Sequence, residues 1–465
     1  MKLSKLAFII FGISLSLNLS FVWASGSVVR LDGDRFTLNV KNQQLSTILE
    51  QLSDQGIHVL IDPRINPRIS ATFDNRPVGS AMSSILRSVD YALIWKKDKA
   101  SGSDEPRLWE IRIFYKGEGA RVRPLKKSTN MIVVTEEGVY YIKDTLLLQL
   151  APTMTEAALA KILDQLDATI VDTQPSLGII QLRLPHGSNV PAIVKIISSY
   201  PGIAAAEPDY AYPLESGQPV LMESSSSPSL SALLPSTEST RVAVMDSGLL
   251  ADYENSPYVQ GTYDAVSPGA AINDLQGHGT QMALIAAGVV NPLGVKTDTV
   301  AGSPVVVIRV IGDNGFTSNY TLLRGIDYAI QEEARVISLS WGSETASSIL
   351  ETAIDYATEK GLILVAAAGN VPTGKPVYPA AYKNVIGVGA LTPDGKPWDQ
   401  SNYGDFVALY APGLADLPVG YQGDPGTYAG TSIATAYTAH LVASILDQIP
   451  DADMETVLLK LATKH

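Results

Sequence analysis

Val242-Ala243-Val244-Met245-Asp246-Ser247-Gly248 decides the fold: four apolar residues run without a polar alternate and stop at a carboxylate, a serine and a glycine. An uninterrupted apolar run of that length reads as a strand buried on both faces. Val305-Val306-Val307-Ile308, Val336-Ile337-Ser338-Leu339 and Leu362-Ile363-Leu364-Val365 repeat it, and residues 320–333 and 347–360 carry helical spacing between them. Strands of this kind alternating with helices predict an α/β fold over residues 241–465, a doubly wound, mostly parallel sheet covered on both sides. In such sheets chemistry gathers at the carboxyl ends of strands, which is where Asp246 stands.

Three more polar residues sit at comparable edges. His278 lies in Gly277-His278-Gly279-Thr280 ahead of a helical run, and Ser432 lies in Gly430-Thr431-Ser432-Ile433-Ala434 where a turn enters another helix. Asn370 follows the strand 362–365 in Ala366-Ala367-Ala368-Gly369-Asn370. Serine hydrolysis needs a hydroxyl nucleophile, an imidazole to carry its proton and a carboxylate to orient that imidazole. A helix start at the serine adds backbone N–H groups for a developing oxyanion, and Asn370 offers a side-chain donor to the same charge.

These motifs, in the order Asp, His, Asn, Ser, resemble the subtilisin-like serine peptidase family from Arg241 to the C-terminus. The resemblance implies that Ser432 is the nucleophile, His278 the general base, Asp246 its orienting carboxylate and Asn370, with the Ser432 N–H, the oxyanion hole. It further implies that Ser340, Trp341 and Gly342 on one side and Gly315 to Thr317 on the other flank an extended peptide. Ala366 to Gly369, including Ala368 and Gly369, complete a largely apolar pocket, which leads us to expect an apolar or aromatic P1 residue. The chain departs from the family pattern at Thr435-Ala436, where proline is usual, and at Gln281-Met282-Ala283, where Val-Ala-Gly is common. No cofactor is needed for this chemistry. A structural calcium ion is left open at Asn291, Gly294 and Asp298, where no full oxygen cage can be read. His440, eight residues beyond Ser432 on the same predicted helix, reads as structural.

Upstream, residues 139–214 form a small α+β pattern that resembles the family's inhibitory propeptide, closing on Ala206-Glu207-Pro208-Asp209-Tyr210. Such a domain acts as an intramolecular inhibitor by laying its last strand in the cleft. Residues 215–240, with Ser224 to Ser227, Pro228 and Pro235, lack apolar periodicity and predict a flexible linker open to cleavage, with self-processing expected between Tyr210 and Thr240. Residues 27–118 contain a strand-helix pattern twice, 33 residues apart, with Phe36 to Val40 and Ile69 to Phe73 as strands. Through Leu38-Asn39-Val40-Lys41-Asn42 and Leu45 to Leu49 this second α+β domain resembles the short N-terminal domain of secretins and TonB-dependent receptors. That implies docking to an envelope protein, against a folded spacer as the plainer alternative. Residues 1–24 read as a signal peptide, Lys2 and Lys5 followed by an apolar run to Val22-Trp23-Ala24, with an uncleaved anchor as the alternative. Export predicts the periplasm, the cell envelope or the extracellular medium.

The composition supports these exclusions. The 465 residues contain no cysteine, so thiol nucleophiles and disulfides are excluded, and the five histidines, His58, His186, His278, His440 and His465, are too scattered for a multi-histidine metal site. The formal net charge is −13, and residues 241–465 hold 11 Lys and Arg against 23 Asp and Glu, so the acidity belongs to the catalytic part. An acidic surface excludes nucleic acid as a partner and disfavours strongly acidic substrates. The reading is therefore an exported serine endopeptidase made as a zymogen and acting on polypeptides. Its rival is a silent protease-fold scaffold or peptide-binding envelope protein.

Overall fold

A computed structural model describes residues 28–55, 57–87, 89–97, 106–125, 132–185, 187–214, 218–219, 235, 238–295, 301–419 and 425–463. The chain divides into two compact units, Met1–Thr129 and Asn130–His465. The predicted signal peptide, His186 and His465 lie outside the described residues.

Seven parallel strands form the central sheet of the larger unit, in the order Val259–Asp264, Val305–Arg309, Val242–Asp246, Val336–Leu339, Ile363–Ala367, Val385–Leu391, Leu409–Pro412. Alternation of side chains explains why these strands carry no polar face. Val242 and Val244 join Met282, Ala283 and Val442 on one side, while Ala243 and Met245 join Leu322, Leu323 and Ile354 on the other. Helices His278–Ala286, Thr431–Gln448 and Met454–Thr463 cover the first side. Helices Asn319–Gln331 and Ser348–Glu359 cover the second. Each fully buried Val, Leu or Ile contributes about 1.5–3 kcal/mol, and a sheet sandwiched in this way collects that contribution from every residue of its central strands.

The segment from 132 to 214 folds as an antiparallel sheet with two helices, and it belongs to the larger unit. Its strands run in the order Thr169–Gln174, Ile179–Arg183, Tyr140–Leu150, Ile203–Pro213. Helices Glu156–Leu166 and Val190–Ile197 start at Thr155 and Asn189, whose side chains accept the N–H of Ala158 and Ala192. The last strand does not end the sheet. It pairs antiparallel with Phe316–Ser318 of the catalytic part, Ala211 opposite Ser318, Tyr212 opposite Thr317 and Pro213 opposite Phe316. The edge of the small sheet is thereby satisfied, and the two parts share one continuous ladder.

Within the predicted linker, Gln218–Pro219 pairs with Gly426–Ala429 and is strand rather than loose chain. Residues 215–217, 220–234 and 236–237 lie outside the described part.

In the smaller unit the duplicated pattern appears as strand Arg35–Gln44 with helix Leu45–Asp54 and strand Arg68–Pro77 with helix Val78–Ile85. A three-stranded and a four-stranded sheet share one core that includes Phe36, Ile48, Met82 and Ile111. Pairing of Arg123–Pro124 with His58–Ile61 carries this unit past residue 118. Among the described residues no helix is long and apolar enough to cross a membrane.

Candidate active site

Asp246 is the last residue of its strand, and His278 opens the helix that packs against that strand. The His278 Nδ1 atom lies 2.8 Å from Asp246 Oδ1, with both side chains about 1% exposed. Burial pushes the imidazole pKa down, but the Asp246 charge and hydrogen bond, helped by the Asp274 charge, outweigh it and leave His278 above its ordinary value. An acceptor on Nδ1 assigns the proton to that nitrogen and leaves Nε2 as the basic atom of the neutral ring.

The turn that delivers His278 is organised by Asp274, four residues earlier. Its Oδ1 accepts the N–H of Gln276 (3.1 Å) and Gly277 (2.8 Å) and the hydroxyl of Ser247 (2.9 Å). Its Oδ2 accepts the N–H and the hydroxyl of Thr280 at 2.8 and 2.7 Å. Ser247 accepts the N–H of Gly279 in turn, so the residue after Asp246 is tied to the residue after His278. Gly279 is required by this closeness. A Cβ there would sit 2.4 Å from the Gly248 carbonyl oxygen and 2.5 Å from its nitrogen.

Ser432 is the second residue of the long helix Thr431–Gln448, which packs against both the His278 helix and the Asp246 strand. Its Oγ donates to the Ser340 carbonyl at 3.3 Å, and the Ser340 hydroxyl reaches back to the Ser432 carbonyl at 3.5 Å. Asn370 stands beside the same helix start. Its Oδ1 accepts both the N–H and the hydroxyl of Thr431 at 2.9 Å, which leaves the amide nitrogen as its donor end. The loop carrying Asn370 is braced by buried Asn402, whose amide donates to Ala368 O and Lys375 O and accepts from Gly374 N. Gly369 is held between Asn402 N and the Thr431 hydroxyl.

Of the expected peptide-flanking residues, Gly315, Phe316, Thr317 and Trp341 are engaged by the chain's own strand. Gly315 O accepts the N–H of Leu214 at 2.8 Å, continuing the ladder made by Phe316–Ser318. Trp341 stacks on Tyr212, ring centroids 5.6 Å apart at 24°. A Cβ on Gly342 would lie 2.5 Å from a Val377 methyl, so Val377 packs closely on Gly342. Ala368 pairs with Val388 and bonds to Asn402.

Two carboxylates of the same strand cap two catalytic-unit helices. Glu207 accepts the hydroxyl of Ser347 (2.5 Å) and the N–H and hydroxyl of Ser348 (2.7 Å each) at the start of Ser348–Glu359. Asp209 accepts Tyr320 N–H at 3.0 Å at the start of Asn319–Gln331, with Gln181 and Ser318 as further donors. Anions at helix N-termini are favoured by unpaired N–H groups and the dipole. Asp209 is fully buried, and that burial, outweighing its hydrogen bonds, pushes its pKa up to about 6. Asp172 adds a third contact by pairing with Arg324 at 2.6 Å.

His440 is buried beside Ser303, 3.0 Å from its hydroxyl, and against Gly288, a packing position. Of the calcium candidates, Asp298 lies outside the described residues. Gly294 packs on Pro393, and among the described residues of that loop Asn291 alone supplies a side-chain amide oxygen. A calcium cage takes about six to eight oxygens, so no calcium enters the chemistry below.

Sequence reasoning did not find Asp274, Ser247, Thr431 or the capping roles of Glu207 and Asp209. Asp274 had a local signal, an acidic residue four before His278. Ser247 gains its role from partners 27 and 32 residues away, and Thr431, Glu207 and Asp209 gain theirs from partners more than sixty residues away.

Comparison with known proteins follows the same division of the chain. A profile described as the subtilase family matches residues 237–464, and one described as the fervidolysin N-terminal prodomain matches residues 127–209. The chain is 29% identical over 335 residues to the thermophilic serine proteinase of Bacillus sp. (strain AK1), covering 69% of this chain and 82% of that protein. It is 32% identical over 209 residues to thermitase of Thermoactinomyces vulgaris, covering 45% of this chain and 75% of thermitase. Among solved structures, fervidolysin from Fervidobacterium pennivorans, a keratinolytic enzyme related to subtilisin, superposes with a TM-score of 0.53 at 24% identity. That match covers 70% of this chain and 58% of fervidolysin, a likeness of fold.

Proposed function

Because the chain belongs to the subtilase family and is a serine endopeptidase with a prodomain, we propose that Asp246, His278 and Ser432 are its triad and that the prodomain strand is its own inhibitor. The observation that carries the assignment is the buried 2.8 Å contact of His278 Nδ1 with Asp246, on elements packed against the Ser432 helix.

A substrate enters as an extended strand between Gly315–Thr317 and Ser340–Gly342. Ser432 Oγ leaves the Ser340 carbonyl, passes its proton to His278 Nε2 and attacks the scissile carbonyl carbon. The negative charge on that oxygen is met by the Ser432 N–H and the Asn370 amide nitrogen. Asp246 holds the imidazolium that forms. His278 then gives the proton to the leaving amine, the C–N bond breaks, and water attacks the acyl-serine by the same route in reverse. Gly342, Ala368 and Gly369 line the recess for the residue before the scissile bond and favour an apolar side chain there, while the Trp341 ring faces the position held by Tyr212.

The chain is a zymogen in this reading. Leu214 is bonded on one wall and Gln218 is paired with Ala429, three residues before Ser432. The first cut therefore falls between Leu214 and Gln218. Wild-type and Ser432→Ala full-length proteins, purified alike, are compared by intact mass and by fluorophosphonate labelling. Fragments ending in this interval and a labelled serine in the wild type alone support the proposal. Identical fragments in both proteins refute self-cleavage, and absence of label in folded wild type returns the scaffold reading.

Export through residues 1–24 places the enzyme outside the cytoplasm, and N-terminal sequencing of the extracytoplasmic protein tests it. Residues 27–118 serve to dock an envelope protein, and the duplicated strand-helix pattern supports that reading. Deleting them should release activity from the envelope fraction. Structural calcium at the loop of Asn291 is tested by the melting temperature with and without chelator.

A further inference from the structure

The recess that holds Tyr212 is built to recognise a hydroxyl as well as a ring. Tyr212 is 1% exposed, stacked on Trp341, and its hydroxyl donates to Asn319 Oδ1 at 2.7 Å. Asn319 is fully buried at the first position of its helix. Its orientation follows from proton bookkeeping. Ser347 has one hydroxyl proton, given to the Glu207 carboxylate, so its oxygen must accept from Asn319 Nδ2 at 2.8 Å. The amide nitrogen is thereby committed to Ser347, and the carbonyl oxygen faces the tyrosine.

Trp341, Asn319 and Ser347 all belong to the catalytic part, so these walls remain when the prodomain strand leaves. We propose that this recess is a tyrosine-selective substrate subsite, with Asn319 as the residue that distinguishes tyrosine from phenylalanine. This rests on the peptidase reading above. A substrate strand laid on Gly315–Ser318 in the register of the prodomain places a side chain in the recess two residues before the one bonded to Gly315 O. A phenylalanine there keeps the stacking but leaves a buried amide without its partner. Sites built to bond a hydroxyl reject the analogue that lacks it far more strongly than apolar pockets reject a missing methylene. If Ser347 turns once Glu207 has gone and the amide reverses, the recess presents an N–H instead. A tyrosine hydroxyl can accept as well as donate, whereas phenylalanine does neither.

The test uses active enzyme obtained from the full-length chain, its active serine counted with a fluorophosphonate. Two peptides carry the sequence of residues 211–220, AYPLESGQPV, and the same sequence with phenylalanine in place of Tyr212. The expected result is a kcat/KM at least about tenfold higher for the tyrosine peptide, with the ratio falling toward one in Asn319→Ala. Equal rates in the wild type overturn the subsite, and this comparison needs no variant to fold. Labelled enzyme that cuts neither peptide also overturns it, because the register is then wrong. Wild type that takes no label refutes the peptidase reading itself, and the subsite falls with it. Discrimination that persists in a folded Asn319→Ala protein refutes the role of Asn319.

Discussion

Asp209 accepts the N–H of Tyr320 at 3.0 Å, so a buried carboxylate of the prodomain closes the first turn of a catalytic-unit helix 111 residues further along the chain. Its pKa is pushed up from 3.8 to about 6 by burial, the donors around it lowering it only in part. The docked strand therefore holds a proton that the undocked strand releases between those values. Docking gains this contribution fully below about pH 4 and loses it as pH rises through about 6, a change on the order of 2–3 kcal/mol. In Ser432→Ala full-length protein the urea midpoint for prodomain undocking, read by tryptophan fluorescence, should fall from pH 4 to pH 7. Asp209→Asn should flatten that dependence. An unchanged slope in Asp209→Asn would assign the effect elsewhere.

Glu207 closes the neighbouring helix through three donors on Ser347 and Ser348. Replacing a helix-capping carboxylate removes about 1–2 kcal/mol. Glu207→Ala should lower the free energy of undocking by that amount, and with it the urea midpoint, while leaving Ser432 reactivity in the released enzyme unchanged. Equal midpoints for the two proteins would show that the cap does not hold the prodomain.

In the proposed mechanism the raised pKa of His278 sets the acid limb of activity. The base must be neutral to accept the serine proton, so kcat/KM should rise with pH through a value above the ordinary histidine pKa of about 6.5. Asp246→Asn removes the charge that raises it. The rate should drop by roughly 10⁴ in kcat, and the acid limb should move down in pH. A limb that stays in place in Asp246→Asn would mean that another carboxylate sets the pKa.

Asp274 acts on the reaction through the turn it holds. Losing a buried acceptor with five donors strands several polar groups, at about 1–3 kcal/mol for each one left unsatisfied. Asp274→Ala should therefore lower the melting temperature markedly, and in the milder Asp274→Asn kcat should fall with little change in KM. A fall confined to KM would place Asp274 in substrate binding instead.

The sequence by itself determined the central sheet, because a strand buried on both faces must be apolar at every position, and Val242–Met245 and its companions carry that signal locally. It also singled out Asp246, His278 and Ser432, the residues of the proposed triad, since each stands where a rigid element ends or begins. The propeptide-like unit and the duplicated strand-helix pattern were legible for the same reason, local periodicity. Tertiary structure alone decided that the prodomain and the catalytic part make one compact unit. The pairing of Tyr212 with Thr317, the capping of distant helices by Glu207 and Asp209, and the hydroxyl-reading amide of Asn319 join residues about 100 or more positions apart. A carboxylate on a strand has no local pattern that names the helix it will cap. Backbone N–H groups and buried amides acquire partners only when the chain has closed around them, which is why the contacts behind the proposed inhibition and selectivity are ones that no stretch of sequence displays.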